Sequence, residues 1–252
     1  MGTGSSAVAG QVALVTGAAV RLGRHVAEAL AEDGASVVVH YRSSSREANE
    51  LVERLTTMGV HAWAVQADLA DPAQAAALFE RARDACSRPI DILVNSASIF
   101  DPSSVLSFGA DELARNVQVN AFAPLQLSRA LAAQGRAGQI INFLDTRIAE
   151  YDRKHAAYHL SKRMLHAVTR MLASELAPDI RVNAVAPGLI LPPPGEEEAY
   201  LRNLAGTNPL QRHGSPADVV RAVRYLLQSD FVTGQVLYLD GGANMRGAMY
   251  GI

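Results

Sequence analysis

The chain has 252 residues, with 23 Lys+Arg against 25 Asp+Glu for a formal net charge of −2, and it is 49% hydrophobic and 19% charged. That balance excludes a disordered polyelectrolyte, and its near neutrality argues against a nucleic-acid binder, which is usually basic. The single cysteine, Cys86, excludes an intrachain disulfide and Cys-rich zinc or iron–sulfur sites, and it points to a reducing cytoplasm.

Residues 1–10 are small and Gly/Ser-rich and predict a flexible lead-in rather than a signal peptide; residues 11–252 then read as one domain. No apolar run approaches the ~20 residues needed to cross a bilayer, so no membrane partner is expected. Residues 11–16 predict a strand. Residues 22–32 place Leu22, Val26, Ala29 and Leu30 at helical spacing, with Gly34 as the stop. A strand over 36–40, a helix over 44–58 ended by Gly59, a strand over 61–66 and a helix over 72–86 with proline in its first turn follow. Residues 90–94, 139–143, 181–185 and 235–239 are further strands, separated by helical stretches. This alternation predicts a doubly wound α/β domain, its mainly parallel sheet flanked by helices and its ligands outside the carboxyl ends of the strands. The Pro-rich residues 191–194, then Gly195 and three glutamates, predict a substrate loop near 188–212.

Between the first strand and first helix stands Thr16-Gly17-Ala18-Ala19-Val20-Arg21-Leu22-Gly23. Gly17 suits a tight turn and Gly23 close helix–sheet packing, and the helix N-terminus offers unpaired N–H groups to a pyrophosphate. An NAD site usually carries Asp or Glu at the end of the second strand. Here His40-Tyr41-Arg42-Ser43-Ser44-Ser45 offers a base and hydroxyls instead, which suits a 2′-phosphate and predicts NADPH over NADH. Asp68, with Leu69 beside it, is placed to meet the adenine.

Tyr158 and Lys162, four residues apart, share one helical face. A neighbouring ammonium favours the phenolate, so the pair predicts a lowered tyrosine pKa and proton transfer near neutrality. His155 and His159 have a spacing that metal pairs use, but no cysteine or carboxylate completes a pattern; they read as helix-surface residues, and no metal is expected.

Thr16-Gly17…Gly23, Asp68, Asn95-Ser96-Ala97, Asn120, Tyr158…Lys162, Pro187-Gly188 and Asp240-Gly241-Gly242 stand in the order of the short-chain dehydrogenases/reductases, which the chain resembles over nearly its whole length. The resemblance implies a Rossmann-type fold of about seven strands, a nicotinamide cofactor, hydride transfer and a homotetramer built on the Tyr158 helix and the helix over 215–228. It also implies that Lys162 binds the nicotinamide ribose and that Asn120 holds a water in a proton relay. Where that family carries a serine, the fifth strand runs into Asp145. A carboxyl suits protonation of a ring nitrogen or bonding to an amino-pyrimidine. Lys162 would stabilise its charge and burial would raise its pKa, so both states stay open.

Asp145, the loop arginine Arg21, His40-Tyr41-Arg42-Ser43 and Asn95-Ser96-Ala97-Ser98-Ile99-Phe100 resemble the pteridine reductases, and the stretch from Asp145 through Tyr158 to Leu189-Ile190 resembles the bacterial dihydromonapterin reductases. That likeness implies that Ser98 contacts a pterin, Phe100 stacks on it and Arg21 reaches both cofactor phosphate and substrate, with Leu189 in the pocket wall. Val20 and Ser96 depart from the pattern, and Arg246 is a candidate for reaching a neighbouring subunit's site. The expected activity is NADPH-dependent reduction of a dihydropterin (dihydromonapterin, dihydrobiopterin or dihydrofolate). The alternatives are a carbonyl reductase of the same family and a non-catalytic NADPH-binding sensor.

Overall fold

Seven parallel strands in the order β3-β2-β1-β4-β5-β6-β7 form the centre of the structure. This computed structural model describes residues 7–149, 152–193 and 195–248, the last three by their backbone alone. Residues 1–6 of the expected lead-in, Pro194 of the expected loop and the Arg246 side chain therefore lie outside the described residues. The remainder of the lead-in departs from expectation. Gly10 N–H donates to Gly34 O, and Val8 is buried in the core, so residues 7–10 are fastened to the first strand–helix layer by an apolar anchor.

The strands are β1 Val12–Thr16, β2 Ser36–Tyr41, β3 Ala62–Gln66, β4 Ile92–Asn95, β5 Gly138–Phe143, β6 Ile180–Pro187 and β7 Val236–Leu239. The helices are α1 Arg21–Glu32, α2 Ser45–Thr57, α3 Pro72–Cys86, α4 Ala110–Val117, α5 Ala123–Ala132, α6 Ala156–Glu175, α7 Glu198–Leu204 and α8 Pro216–Gln228. Side chains alternate across a strand, so β1 serves two cores. Ala13 and Val15 pack with Val26, Leu30, Leu51 and Leu226 from α1, α2 and α8. Val12 and Leu14 pack with Leu78, Phe79, Leu127 and Leu172 from α3, α5 and α6 on the opposite face. Burial on both faces explains why these strands are nearly continuous Val, Ile and Leu.

Helix ends differ in a way that matters for the site. Asp71 caps α3, accepting from Ala73 N–H and Gln74 N–H, with Pro72 at the first position. Ser215 and Asp218 form a reciprocal capping box on α8. By contrast, α1 starts at Val20 with no side-chain cap. Its first N–H groups face the carboxyl ends of the strands, where the order reverses between β1 and β4 and a crevice opens.

Candidate active site

One cleft of about 950 Å³ runs along the carboxyl ends of the strands, from Gly17 to Asn244. At one end, Gly17 adopts φ +65°, the left-handed conformation that glycine tolerates, and starts the turn into α1. A Cβ at Gly23 would sit 2.3 Å from Gly17 O, so only glycine lets α1 approach the loop this closely. The uncapped α1 N-terminus, Arg42, Ser43 and Ser44 face the cleft together. This donor set fits a dinucleotide: helix N–H groups for the pyrophosphate, a base and hydroxyls for a further phosphate. Asp68 and Leu69 line the adjoining wall, and Asp68 Oδ1 accepts from Ala70 N–H at 2.9 Å. Arg21 also lines the cleft, and its guanidinium donates to Pro192 O at 2.9 Å, joining the phosphate loop to the substrate loop.

The reactive groups stand at the other end, on β5 and α6. Lys162 is buried, and its Nζ donates to Phe143 O at 2.7 Å. Burial lowers its pKa to about 8, against the pull of the Asp145 carboxylate. Tyr158, also buried, donates its hydroxyl to Asp145 Oδ2 at 2.9 Å. Burial, then the charge of Asp145 and this hydrogen bond, raise the Tyr158 pKa well above its ordinary value. The lowered tyrosine pKa expected from Lys162 is therefore corrected. The ammonium sits 5.7 Å from the tyrosine ring centroid and is bonded to a carbonyl, while the nearest charge to the phenol is negative. Tyr158 is held as a neutral proton donor. Asp145 also accepts from Arg147 N–H at 2.8 Å, capping the 3-10 turn Thr146–Ile148, so one carboxylate both orders its own loop and meets the phenol.

Phe100 is 45% exposed, so it is not a core aromatic. Its ring stacks on His155 at 3.8 Å and meets Tyr158 edge-on at 4.7 Å. Ser98 lines the cleft and donates to Asn120 Oδ1 at 3.1 Å. Ser96, Ala97, Pro187, Gly188 and Leu189 line it as well.

Two expected contacts stand behind the cleft wall instead. Asn95 is buried and its amide donates to Asn142 Oδ1 at 2.8 Å, tying β4 to β5. Asn120 lies fully buried in the π-helical turn Gln118–Phe122. Its carbonyl oxygen accepts from Ile99 N–H, and its amide donates to Ile99 O and Ser161 Oγ. The Asn120 side chain is thus spent on fixing the loop that carries Ser98 and Phe100 against α6. His159 is not a surface residue: it is buried, Nε2 accepts from Asp152 N–H at 3.3 Å, and burial lowers its pKa. The cause is Asp152, which lies over the first turn of α6, pairs with Arg147 and bonds His155 Nδ1 at 3.0 Å. Against the upward push of burial, His155, Lys154 N–H and the Arg147 charge hold Asp152 at about 2.

A family model described as enoyl-(acyl carrier protein) reductase matches residues 17–244. A short-chain type dehydrogenase/reductase of Picea abies is 34% identical over 250 residues, covering 92% of each chain. The chain belongs to the short-chain dehydrogenase/reductase family. A 3-oxoacyl-(acyl-carrier-protein) reductase of Synechocystis sp. is 33% identical, covering 95% of this chain and 99% of its own. The crystal structure of FolM alternative dihydrofolate reductase 1 from Brucella canis, complexed with NADP, is similar at a TM-score of 0.87 and 35% identity, over 94% of this chain and 96% of that one.

Sequence reasoning overlooked Arg147 of this dehydrogenase/reductase cleft, and it placed Tyr200, Leu201, Leu204 and Asn208 only within the loop near 188–212 and Asp240 only in a family motif; all of them line the cleft. Asp240 accepts from Thr146 Oγ1, Gly242 N–H and Asn244, which brings the end of β7 to the Asp145 loop. Thr16 Oγ1 accepts from Ser96 N–H and Ala97 N–H, fastening the β4 loop to β1. The Thr16 hydroxyl at a strand end was a readable signal, whereas nothing in the spacing of Asn208 or Leu204 marks them as wall residues.

Proposed function

We propose that this protein is an NADPH-dependent pteridine reductase that converts a 7,8-dihydropterin to its tetrahydro form. The observation that carries the reading is the Tyr158–Asp145 hydrogen bond at 2.9 Å, which puts a carboxylate and a neutral phenol side by side at the end of β5. Arg42 with Ser43 and Ser44 supports a 2′-phosphate and hence NADPH. The likeness to the NADP-bound Brucella canis FolM dihydrofolate reductase supports both cofactor and substrate class.

When bound, the reduced nicotinamide supplies the hydride that C6 receives. Tyr158 carries the proton that N5 gains as the C6=N5 bond is reduced, and Asp145 holds that phenol in place. Lys162 orients the nicotinamide ribose and keeps its charge close to the Asp145 pair. Ser98 and the exposed side of Phe100 receive the flat ring, with His155 bracing Phe100 from behind. Arg21, bonded to Pro192, ties the phosphate loop to the wall formed by Leu189 and its neighbours. The enzyme is read as a cytoplasmic homotetramer, supported by exposed Leu160, Met164 and Met171 on α6 and Tyr225 on α8. Light scattering that returned a monomer would remove that assembly.

Ketone reduction is the second reading, favoured by the similarity to the Synechocystis 3-oxoacyl reductase. The deciding experiment is NADPH oxidation, followed by absorbance, with dihydromonapterin, dihydrobiopterin, dihydrofolate and a panel of ketones. Turnover of a dihydropterin is expected. Turnover confined to ketones overturns the proposal, and NADPH binding without turnover of any substrate leaves a sensor.

A further inference from the structure

His40 ends β2 immediately before the turn that carries Arg42, yet its side chain is 2% exposed and does not point out with that turn. Gly17 N–H donates to its Nδ1 at 3.1 Å. A backbone N–H has only a proton to give, so Nδ1 must be the bare nitrogen and Nε2 must carry the ring proton. That proton goes to Ala67 O, 3.1 Å away. The backbone of the same residue completes the set, since His40 O accepts from Ala18 N–H at 3.0 Å. One residue thus bolts together the ends of β1, β2 and β3, the three strands whose loops form the dinucleotide half of the cleft. Burial lowers the imidazole pKa to about 4, which keeps the ring neutral and this tautomer in place at neutral pH.

We infer that His40 is a positioning residue for the dinucleotide: its neutral imidazole, in the Nε2–H form, presets the phosphate loop by taking the Gly17 N–H and holding it against the β3 end. The consequence for Gly17 is that its N–H is unavailable to a phosphate, which is left to the N–H groups of α1. Because both ring nitrogens are bonded to loop backbone, neither is left for a 2′-phosphate, and the imidazole acts equally on NADPH and NADH. Arg42, in contrast, acts on NADPH alone. The inference rests on the dinucleotide reading above and deepens it.

Two substitutions separate the two ring nitrogens. In His40→Asn the side-chain oxygen falls where Nδ1 stood and still accepts from Gly17. In His40→Gln the side-chain amide falls where Nε2 stood; it still donates to Ala67, and the Gly17 N–H is left buried and unpaired. An orphaned backbone donor in a preset loop corresponds to roughly a tenfold loss of affinity. Dissociation constants for NADPH and NADH are measured by fluorescence titration on both variants, on Arg42→Ala and on the wild type, with melting temperatures alongside. The expected result is that His40→Gln weakens both dinucleotides by about the same factor of ten, with kcat at saturating cofactor unchanged. His40→Asn should stay within about threefold of the wild type, a factor smaller than one lost hydrogen bond.

Equal losses in the two variants, or unchanged affinity in His40→Gln, overturn the inference, because neither then depends on the Gly17 bond. Nitrogen-15 chemical shifts of the wild-type histidine test it without any variant, and a protonated Nδ1 overturns it. Failure of the cofactor reading looks different: the wild type binds neither dinucleotide, or Arg42→Ala leaves the NADPH-to-NADH ratio unchanged.

Discussion

The Tyr158 hydroxyl donates to Asp145 Oδ2 at 2.9 Å, with Lys162 held away from the phenol by its own bond to Phe143 O. The tyrosine therefore keeps its proton, because both burial and the nearest charge oppose the phenolate. Replacing Asp145 with serine removes the charge and leaves the burial. Dihydropterin turnover should fall about 100-fold, the lower range for loss of a general-acid function. The Tyr158 pKa should fall as well, read by ultraviolet titration against the wild type. Unchanged dihydropterin turnover would show that Asp145 has no part in the proton transfer.

Lys162 makes a prediction about stability and pH. Its pKa is lowered from 10.5 to about 8 in the folded protein. Between those values the unfolded chain binds the proton that the folded chain has released, so stability rises with pH across the window. Below about 8 both states are protonated, and the cost of burying the charge is fully present. The stability of the wild type relative to Lys162→Met should thus be flat below pH 8 and climb from there toward 10.5. Denaturant melts of both proteins across that range provide the check, and a difference that falls over the window would mean the ammonium is favoured by its site.

Phe100 stacks on His155 at 3.8 Å and also lines the cleft. Loss of an aromatic platform is worth about 0.5–1.5 kcal/mol beyond area burial. Phe100→Ala should therefore raise the KM for a dihydropterin roughly three- to tenfold and leave the KM for NADPH unchanged. Steady-state kinetics with each substrate varied in turn distinguishes this from a general loss of structure, which would raise both.

Gly23 is the tightest of the glycines at the cleft. Alanine there would put a methyl group 2.3 Å from Gly17 O and 3.1 Å from Ala18 Cα, both backbone atoms that no side-chain rotation can move aside. Gly23→Ala should cost about 1–3 kcal/mol, as overpacking does. It should also weaken dinucleotide binding, since α1 must shift along the loop it packs on. Thermal melts with and without NADPH test both parts, and an unchanged melting temperature would mean that the helix yields at no cost.

The sequence by itself was sufficient for the architecture. The predicted strand over 36–40 and helix over 72–86 correspond to β2 Ser36–Tyr41 and α3 Pro72–Cys86. The reason is that hydrophobic periodicity, Gly34 and Gly59 as stops, and proline in a first helical turn are local signals, written within a few residues of the structure they produce. Gly17, Gly23, Tyr158 and Lys162 were legible on the same grounds, because a turn and a four-residue helical spacing are local.

Contacts between elements are not local, and there only the tertiary structure decided. His40 and Asn95 read from sequence as cofactor residues, but one binds three strand ends together and the other joins β4 to β5, through partners 23 and 47 positions away along the chain. His159 reads as exposed from its helix, yet it is buried and its Nε2 accepts from the Asp152 N–H. The sign of the Tyr158 shift came from burial and from the Asp145 charge beside the phenol, while the Lys162 ammonium bonds Phe143 O instead. Electrostatic interactions follow distance and burial in space, and the spacing of Tyr158 and Lys162 along one helix specifies neither.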